Sequence, residues 1–345
     1  MLITKINIRG FNGININLDL GPLTIITGPP GSGKSLVLEL LWRVFKGIND
    51  KVSLDGFPRD LDAKIEVTIS LDNWVKRKLE EAGYQGDTAT ISVGFNGNTY
   101  VQVIRIGDKE VLVSEYAGGR SRVKYPLDVE VADSSLLLNP DGLTPQGQAL
   151  QLISSASEDY ETTLTVVKAL RDYLTSVGVY RVGPYIDFRS QDQGIETQQG
   201  DFIGTHGEYI VSILSQLFTD PRRDSETRFL RRLLGELGFR NFRAGWYGGK
   251  LVISYIDKRG IAHIGDELPC HAKTILAITT QVMISKRPSI LIFENSDYCL
   301  SEGLGQVITK VLSSYVDGKQ IIMEARNRWL IDELKMPHVV LYSMS

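Results

Sequence analysis

Apolar and polar residues alternate along much of the first third of the chain, and this period of two predicts β-strands. Residues 2–9 and 14–20 alternate on both sides of a turn at 10–13, which predicts a hairpin. Further strands are predicted at 65–71, 90–93, 100–104 and 111–113, with turns at 96–98, 107–108 and 118–119. A short helix is predicted at 73–82. This part of the chain therefore predicts an antiparallel β layer.

The period becomes helical between residues 145 and 178. Its apolar stripe consists of Tyr160, Leu164, Val167, Leu170 and Leu174, and Ser155 with Glu158 predicts a capping box. A short strand at 179–184 follows, and the polar stretch 187–205 predicts a mobile loop. Two more helices are predicted at 207–218 and 225–237, and a strand pair at 251–256 and 262–264.

Strands and helices alternate over the last part of the chain. The predicted helices are 272–285, 302–315 and 329–334, and the predicted strands are 290–293, 320–323 and 339–342. The strand at 290–293 is apolar throughout, as is typical of a strand buried on both faces. This order predicts the second half of a parallel α/β sheet.

A predicted buried strand at 23–26 leads into Gly28-Pro29-Pro30-Gly31-Ser32-Gly33-Lys34-Ser35. The spacing G-x-x-x-x-G-K-S is that of the phosphate-binding P-loop. The glycines let successive backbone N–H groups point into one cavity, and a helix starting near Lys34 adds its unpaired N–H groups and positive dipole end. We expect Lys34 to reach the β- and γ-phosphates and the Ser35 hydroxyl to bind Mg²⁺. The motif therefore predicts a site for a nucleoside triphosphate.

Composition narrows the class of protein. The 345 residues are 42% hydrophobic and 23% charged, which suits one large globular domain or two lobes. Because the net charge is −3, binding to nucleic acid would need a local basic patch. We see no signal peptide and no apolar run of the roughly 20 residues that span a bilayer. Two cysteines, Cys270 and Cys299, argue against a disulfide framework or a zinc site, so we expect a soluble, cytoplasmic protein in a reducing interior.

A P-loop protein needs an acidic group on a neighbouring strand to hold Mg²⁺. Asp72 ends the predicted strand 65–71, whose alternation resembles a half-exposed edge, and Glu294 ends the apolar strand 290–293. We favour Glu294, because a central parallel strand should be continuously apolar. The alternative for Glu294 is an ordinary strand end that faces solvent.

With the distant acid preferred, the chain resembles the RecF/SMC-type ABC ATPases, including their stand-alone members, over nearly its whole length. Residues 2–11 look like that family's first strand and Arg-x-Phe turn, and residues 21–28 look like its P-loop strand. Gly207-Glu208 and the strand 251–256 resemble the approach to the ABC signature. Residues 268–273 stand at the signature itself, 290–297 at the Walker B strand, and Arg326-Asn327 at the switch histidine.

The resemblance implies an α/β P-loop NTPase fold of the ABC-type ATPase head, with a mixed sheet, an antiparallel β layer and a helical subdomain. It implies residues 1–144 as a first lobe with the P-loop, 145–250 as the helical subdomain and 251–345 as the Walker B half. It also implies ATP and Mg²⁺ as ligands, and a homodimer or a second ATPase head as partner. A role in DNA maintenance or defence is an analogy with the family alone.

The chain departs from the family pattern at several catalytic positions. Pro269 and His271 stand near the places where the signature should present a serine and a glycine. Glu294 and Asn295 replace the Asp-Glu pair, and Asn295 can orient a water but cannot accept its proton. Arg326 replaces the switch histidine and cannot shuttle a proton, and Pro30 replaces the usual P-loop asparagine. These departures predict that ATP binding is kept while hydrolysis is slowed or lost.

Several other groups of residues have a functional and a structural interpretation. Seven arginines could contact nucleic acid, although a solvated helix face balanced by acids is favoured: Arg222, Arg223, Arg228, Arg231, Arg232, Arg240 and Arg243. The histidines at 206, 263, 271 and 338 lack metal-ligand spacing, so no metal beyond Mg²⁺ is predicted. Core packing is favoured over a stacking platform for the aromatic residues at 239, 242, 246 and 247.

Two other functions remain open. The chain could be a non-enzymatic nucleotide sensor or scaffold whose ATP-bound shape controls a partner protein, which the departures at Asn295 and the signature favour. It could instead be a small-molecule P-loop kinase, which would place Asp72 near the phosphates and a lid in residues 187–205.

Overall fold

The structure is a computed structural model that describes residues 3–49, 59–117, 120–125, 129–131, 158–188, 191–192, 200–265, 267–334 and 339–343. The chain forms two compact units. One comprises Met1–Pro22 and Ser35–Val179, and the other comprises Leu23–Lys34 and Tyr180–Ser345. The P-loop strand thus belongs to the C-terminal unit. The three-part division predicted from the sequence, at 144 and 250, places its boundaries elsewhere and stays a prediction.

The first unit contains an eight-stranded antiparallel sheet in the order β2-β1-β4-β5-β6-β7-β8-β9. Its strands are β1 (Ile3–Phe11), β2 (Ile14–Asp19), β4 (Arg59–Ser70), β5 (Thr88–Asn96), β6 (Thr99–Ile106), β7 (Lys109–Ala117), β8 (Arg120–Tyr125) and β9 (Val129–Val131). The predicted hairpin and β layer are confirmed, but β4 lies between β1 and β5 and is not an edge strand. The predicted turn at 118–119 lies outside the described residues.

Three helices are described in the first part of the chain: α1 (Lys34–Asn49), α2 (Asn73–Glu81) and α3 (Glu158–Ser176). Helices α2 and α3 pack together, with the rings of Trp74 and Tyr173 edge-to-face at 6.1 Å. The hydroxyl of Tyr173 donates to the carbonyl of Ser70 at the end of β4, 3.0 Å away. Within the predicted α3 stripe Leu170 and Leu174 are buried, and the side chains at 160, 164 and 167 and the capping residue at 155 lie outside the description.

The second unit contains a five-stranded sheet in the order β10-β15-β16-β3-β17. Its strands are β3 (Leu23–Thr27), β10 (Gly178–Val182), β15 (Ser289–Phe293), β16 (Lys319–Glu324) and β17 (Val339–Ser343). The pairs β15/β16, β16/β3 and β3/β17 are parallel, which confirms the predicted parallel sheet. Residues 23–26 of β3 and all of β15 are buried, as strands covered on both faces require.

A smaller antiparallel sheet in the same unit has the order β11-β13-β12, with β14 also paired to β13. The strands are β11 (Gln191–Asp192), β12 (Arg240–Tyr247), β13 (Lys250–Ile256) and β14 (Ala262–Gly265). The pair β13/β14 was predicted, and β12 was missed. The register of β12 shifts between Arg240 and Arg243, where Asn241 has a φ of 49°, so its alternation is broken.

Five α-helices are described in the second unit: α4 (Ile210–Thr219), α5 (Asp224–Glu236), α6 (Cys270–Ile284), α7 (Gly305–Tyr315) and α8 (Arg328–Glu333), with a 3₁₀ turn at Pro221–Arg223. Helix α6 is buried from Thr274 to its end, which explains its weakly amphipathic sequence. The Gln281 side chain of α6 accepts a hydrogen bond from the backbone N–H of Ile203 at 3.0 Å and donates one to the carbonyl of Asp201 at 2.8 Å.

The stretch predicted as a mobile loop, 187–205, is described only in part. Its end is packed, because Ile203 is fully buried and bonded to α6. Residues 189–190 and 193–199 lie outside the description, so the prediction of a mobile loop stays a prediction there. None of the described helices combines the length and the apolar composition that a bilayer crossing demands.

Candidate functional site

The P-loop follows a strand that is held on both sides. Strand β3 pairs with β16 and β17, and it ends at Thr27 where the loop begins. Gly28, Gly31 and Gly33 have φ values of 147°, 83° and 92°, a range that side-chain-bearing residues rarely adopt. Helix α1 begins at Lys34. The strand–loop–helix order predicted from the sequence is therefore present, with its glycines at the positions whose backbone requires them.

Lys34 lies inside the loop. Only 5% of the residue is exposed, and its ammonium donates to the carbonyls of Gly28 (2.9 Å) and Pro29 (2.8 Å) and to the Ser32 hydroxyl (3.4 Å). A buried positive charge needs compensation, which here comes from neutral oxygens. The ammonium is thus fixed within the loop beside backbone N–H groups and a helix N-terminus, a setting that favours an anion. Ser35 follows in the first turn of α1.

The acidic strand is not the immediate neighbour of the P-loop strand. Strand β16 lies between β3 and β15, so Glu294 follows a strand two positions away. The expectation of an acid on an adjacent strand was wrong in this respect. The adjacent strand does carry a buried acid that the sequence analysis missed, because Glu324 stands opposite Ile26 at the end of β16 and is 1% exposed.

Asp72, the alternative acid, follows β4 in the antiparallel sheet of the first unit. It is the N-cap residue of α2, where its side chain makes no capping hydrogen bond. Its strand is not part of the parallel sheet that contains β3, and the kinase interpretation, with Asp72 near the phosphates, stays a prediction.

Glu294 is buried and paired with an arginine. The Nε and Nη2 atoms of Arg181, on β10, lie 2.9 and 2.8 Å from Glu294 Oε1. The backbone N–H of Glu294 donates to the carbonyl of Val182, 2.9 Å away. The interpretation of Glu294 as an ordinary solvent-facing strand end does not describe this buried, paired carboxylate.

Asn295 has a left-handed backbone, with a φ of 46°. Its Nδ2 donates to the carbonyl of Pro184 at 3.2 Å, and its buried Oδ1 has no hydrogen-bond partner among the described residues. Asn295 also lines a cavity of about 10 Å³ together with Pro184, Thr274 and Tyr298, which is room for one water molecule. The amide can therefore hold a water through Oδ1, and it has no carboxylate to take a proton.

Asp297 fixes the segment that carries Arg326. Its Oδ2 accepts the backbone N–H groups of Arg326 at 2.9 Å and of Asn327 at 2.5 Å. Two residues earlier in β16, the carbonyl of Glu324 accepts both the N–H and the hydroxyl of Ser296, at 3.0 and 2.7 Å. The turn after β15 and the end of β16 are thus tied together, and the side chain of Arg326 is exposed.

The segment predicted to stand at the signature, 268–273, runs into the start of α6. Pro269 is its N-cap residue, and no side chain caps the helix there. Cys270 is bonded to Cys299, with the two Cα atoms 5.7 Å apart, a normal separation for a disulfide. The expectation of two reduced cysteines was therefore wrong. This bond joins the start of α6 to the turn after β15, and Thr274 adds a hydrogen bond to the carbonyl of Tyr298 at 3.1 Å.

The pKa values of two histidines near this region are shifted in opposite directions. Burial, with Lys258 nearby, lowers the pKa of His271, which favours its neutral form. Hydrogen bonds to Glu267 (3.0 Å) and Asp257 (3.2 Å) raise the pKa of His263. Among the described residues no group of three or more His, Cys, Asp or Glu side chains is arranged to hold a metal.

The arginine cluster is partly neutralised. Arg222, Arg223 and Arg228 pair with Asp220 (2.9 Å), Glu226 (3.2 Å) and Asp224 (2.9 Å). These pairs support the interpretation as a solvated, charge-balanced helix face. Contact with nucleic acid stays a prediction.

The four aromatic residues divide into two pairs. Phe239 and Phe242 are buried, as core packing predicts. Trp246 and Tyr247 are 53% and 65% exposed, so core packing was the wrong interpretation for them. They end β12 beside the turn Gly248-Gly249.

Comparison with known proteins gives a family and a general likeness. A family model described as an AAA domain, AAA_23, matches residues 3–193, a range that includes the P-loop and ends before Glu294. No curated protein matches the sequence. The SMC head domain from Thermotoga maritima is 13% identical, with a TM-score of 0.43 over 99% of this chain and 94% of that one.

Two further solved structures are similar to a comparable degree. An SMC head bound to the C-winged helix domain of ScpA is 12% identical, with a TM-score of 0.47 over 96% of this chain and 91% of that one. An SMC head with an extended coiled coil, bound to the C-terminal domain of ScpA derived from Pyrococcus furiosus, is 12% identical with a TM-score of 0.47 over 99% and 94%. Likeness at this level carries no argument about partners or activity.

Proposed function

The chain belongs to the AAA_23 family, the ATPase domains of the RecF, RecN and SMC type, and from this premise we propose that it binds MgATP at Gly28–Ser35 and hydrolyses it slowly or not at all. The observation that carries the proposal is the combination of an intact phosphate loop with an amide at Asn295. The first feature supports binding, and the second removes the group that would accept a proton from water.

Binding is supported by the chemistry of the loop. Three glycines with positive φ, a buried lysine ammonium and a helix N-terminus together favour a polyphosphate over a neutral ligand. Pro29 and Pro30 have no backbone N–H to donate, whereas Gly31, Ser32 and Gly33 each have one, and the Ser32 N–H donates to the Pro29 carbonyl at 3.3 Å. These residues fit a triphosphate.

Slow hydrolysis is supported at Asn295. The Nδ2 group is already used by Pro184, and Oδ1 can accept a hydrogen bond from a water but is not basic enough to take its proton. Arg326 offers a fixed positive charge and no proton transfer. Positioning and charge neutralisation therefore remain available, while general-base help is lost.

Two oxygen donors would hold Mg²⁺, the hydroxyl of Ser35 and the carboxylate of Glu294, and both are of the hard type that this ion prefers. When bound, the ion would neutralise charge on the β- and γ-phosphates. One of the two carboxylate oxygens that Glu294 would bring to this role, Oε1, is already in contact with Arg181.

We also propose that the head pairs with a second head, a homodimer or another ATPase, across the nucleotide. The segment Leu268–Lys273 would face the partner's γ-phosphate. There Pro269 supplies no N–H and no hydroxyl, which would weaken the contact that normally couples pairing to hydrolysis. A part in DNA maintenance or defence remains an analogy with the family.

A second candidate is a nucleotide sensor or scaffold that binds ATP without turnover and presents an ATP-dependent surface to a partner protein. The orphaned amide oxygen of Asn295 favours it, because that geometry retains a water without activating it. This candidate shares the ATP site with the first one and differs from it in showing no measurable ATP hydrolysis.

Steady-state ATP turnover with Mg²⁺ tests the proposal in wild type, Lys34→Ala, Asn295→Glu and Asn295→Gln, with ATP binding measured in the same samples. We expect wild type and Lys34→Ala to be alike, and Asn295→Glu to gain at least about ten-fold by restoring a base. Asn295→Gln adds the same methylene without the carboxylate and should gain nothing. Brisk wild-type turnover that Lys34→Ala abolishes would show a working ATPase.

A further inference from the structure

Arg181 and Glu294 form a largely buried ion pair within the second unit of the chain. Two nitrogens of one guanidinium contact Glu294 Oε1, at 2.9 and 2.8 Å. The side chains are 19% and 2% exposed, so the carboxylate is out of water and the arginine nearly so. A carboxylate and a guanidinium in such contact form an ion pair that is neutral as a whole.

The backbone holds the two partners together. Glu294 donates its N–H to Val182, the residue after Arg181, at 2.9 Å. Gly183 then packs on Glu294 so closely that a β-carbon there would lie 2.5 Å from the Glu294 carbonyl oxygen. The N–H of Gly183 is bonded to the carbonyl of Thr205 at 2.8 Å. The pair is therefore set by strands β10 and β15 and not by two mobile side chains.

This arrangement has a consequence for metal binding. A guanidinium and a divalent ion attached to one carboxylate repel each other, and the oxygen bonded to arginine is a weaker metal ligand. Arg181 also supplies a positive charge beside Glu294 whether or not a metal is present. Because the Arg181–Glu294 pair is neutral as a whole, a divalent ion would gain less from Glu294 than from an unpaired carboxylate.

We propose that Arg181 is a positioning residue that holds Glu294 and weakens its grip on divalent metal, so that ATP binding by this protein depends little on Mg²⁺. The inference rests on the proposed ATP site and adds to it the residue that sets metal dependence. It concerns a residue that no motif of the sequence marks.

The test is the ratio of ATP dissociation constants in EDTA and in excess Mg²⁺, measured with a fluorescent ATP analogue. For wild type we expect a ratio below about ten, the range of weak coupling between two ligands. Arg181→Met should raise the ratio at least about ten-fold, because the Glu294 carboxylate, no longer paired with a guanidinium, binds the metal more strongly. Arg181→Met combined with Glu294→Gln should return it to the wild-type value. Arg181→Lys keeps the positive charge but lacks the pair of guanidinium nitrogens that contacts Glu294, so it should give an intermediate ratio.

The outcomes separate the two proposals. If wild type binds no ATP in either condition, the proposed function fails and the inference falls with it. If wild type binds ATP but its dissociation constant rises by more than about a hundred-fold in EDTA, the inference alone is overturned. An unchanged ratio in folded Arg181→Met also overturns it. Should that variant fail to fold, the wild-type ratio and Arg181→Lys decide the matter.

Discussion

Breaking the disulfide should lower stability by an amount that the chain connectivity predicts. Cys270 and Cys299 are separated by 29 residues, and the loop between them contains α6 and β15. Closing a loop of that length removes entropy from the unfolded chain worth about 3.6 kcal/mol at 25 °C. With a urea slope of about 3 kcal/mol/M, reduction should move the unfolding midpoint down by about 1.2 M.

The assay compares urea unfolding of wild type and of Cys270→Ser/Cys299→Ser, each with and without a dithiol reductant. Thiol alkylation and mass spectrometry first count free thiols, and we expect none before reduction and two after it. Reduced wild type should unfold near the double variant. The double variant is the matched control, since reductant has no disulfide to act on there.

Two results would refute this reasoning. Two alkylated thiols in unreduced protein would show that the bond does not form. A midpoint that reductant leaves unchanged, despite complete reduction, would show that the bond does not restrict the unfolded chain as the loop-closure argument requires. Equal loss in the double variant would instead reveal an effect of the reductant on something other than this bond.

Other substitutions and conditions test separate parts of the account. Gly183→Ala should cost at least about 3 kcal/mol in chemical unfolding, since its φ is 113° and its β-carbon would meet the Glu294 carbonyl. The control Gly235→Ala, in α5 with open space around the β-carbon, should be neutral or stabilising by up to about 1 kcal/mol; an equal loss in both would contradict the clash. The raised pKa of His263 means that the folded protein binds its proton more tightly, so this stabilisation is complete below pH 6.5 and is lost as pH rises through the folded pKa. The pKa of Asp257, lowered to about 2 chiefly by the N–H of Ile261, adds stabilisation above pH 3.8 that is lost on acidification towards 2. NMR titration of His263 in wild type and Asp257→Asn checks the first shift, and a pKa at or below 6.5 in wild type would contradict it.

Local pattern was enough to predict most elements. The apolar run of β15 and the alternation of β1 and β2 are properties of neighbouring residues, and both were read correctly. The P-loop was likewise visible because its function imposes glycines at fixed spacing. Strand β12 was missed because a bulge at Asn241 interrupts its alternation.

Features that depend on distant residues could not be read from the sequence. The position of β16 between β3 and β15 follows from the chain's crossover path, which leaves no local mark. The disulfide joins two segments that become neighbours only in the fold. Arg181 and Glu294 are 113 residues apart, and either could have been a surface charge until the strands were placed side by side.

The Arg181–Glu294 pair also bears on how the departures at the catalytic positions are understood. Breaking a buried pair by removing one partner typically costs about 3–5 kcal/mol, because the other charge is left buried alone. The longer Glu294 side chain in place of aspartate is thus used structurally as well as at the proposed metal site. The proposed metal ligand Glu294 is therefore held by protein contacts whether or not a ligand is bound.

The measurement that tests the central claim most directly is equilibrium binding of ATP by isothermal titration calorimetry, with wild type beside Lys34→Ala. The account predicts one saturable site per chain in wild type and affinity at least about 30-fold weaker in the variant, the value of charge-assisted hydrogen bonds to phosphate. Thermal unfolding of both proteins without nucleotide shows whether the variant is folded. Equal affinity in the two folded proteins, or no binding by wild type, would contradict the claim that this P-loop is an ATP site.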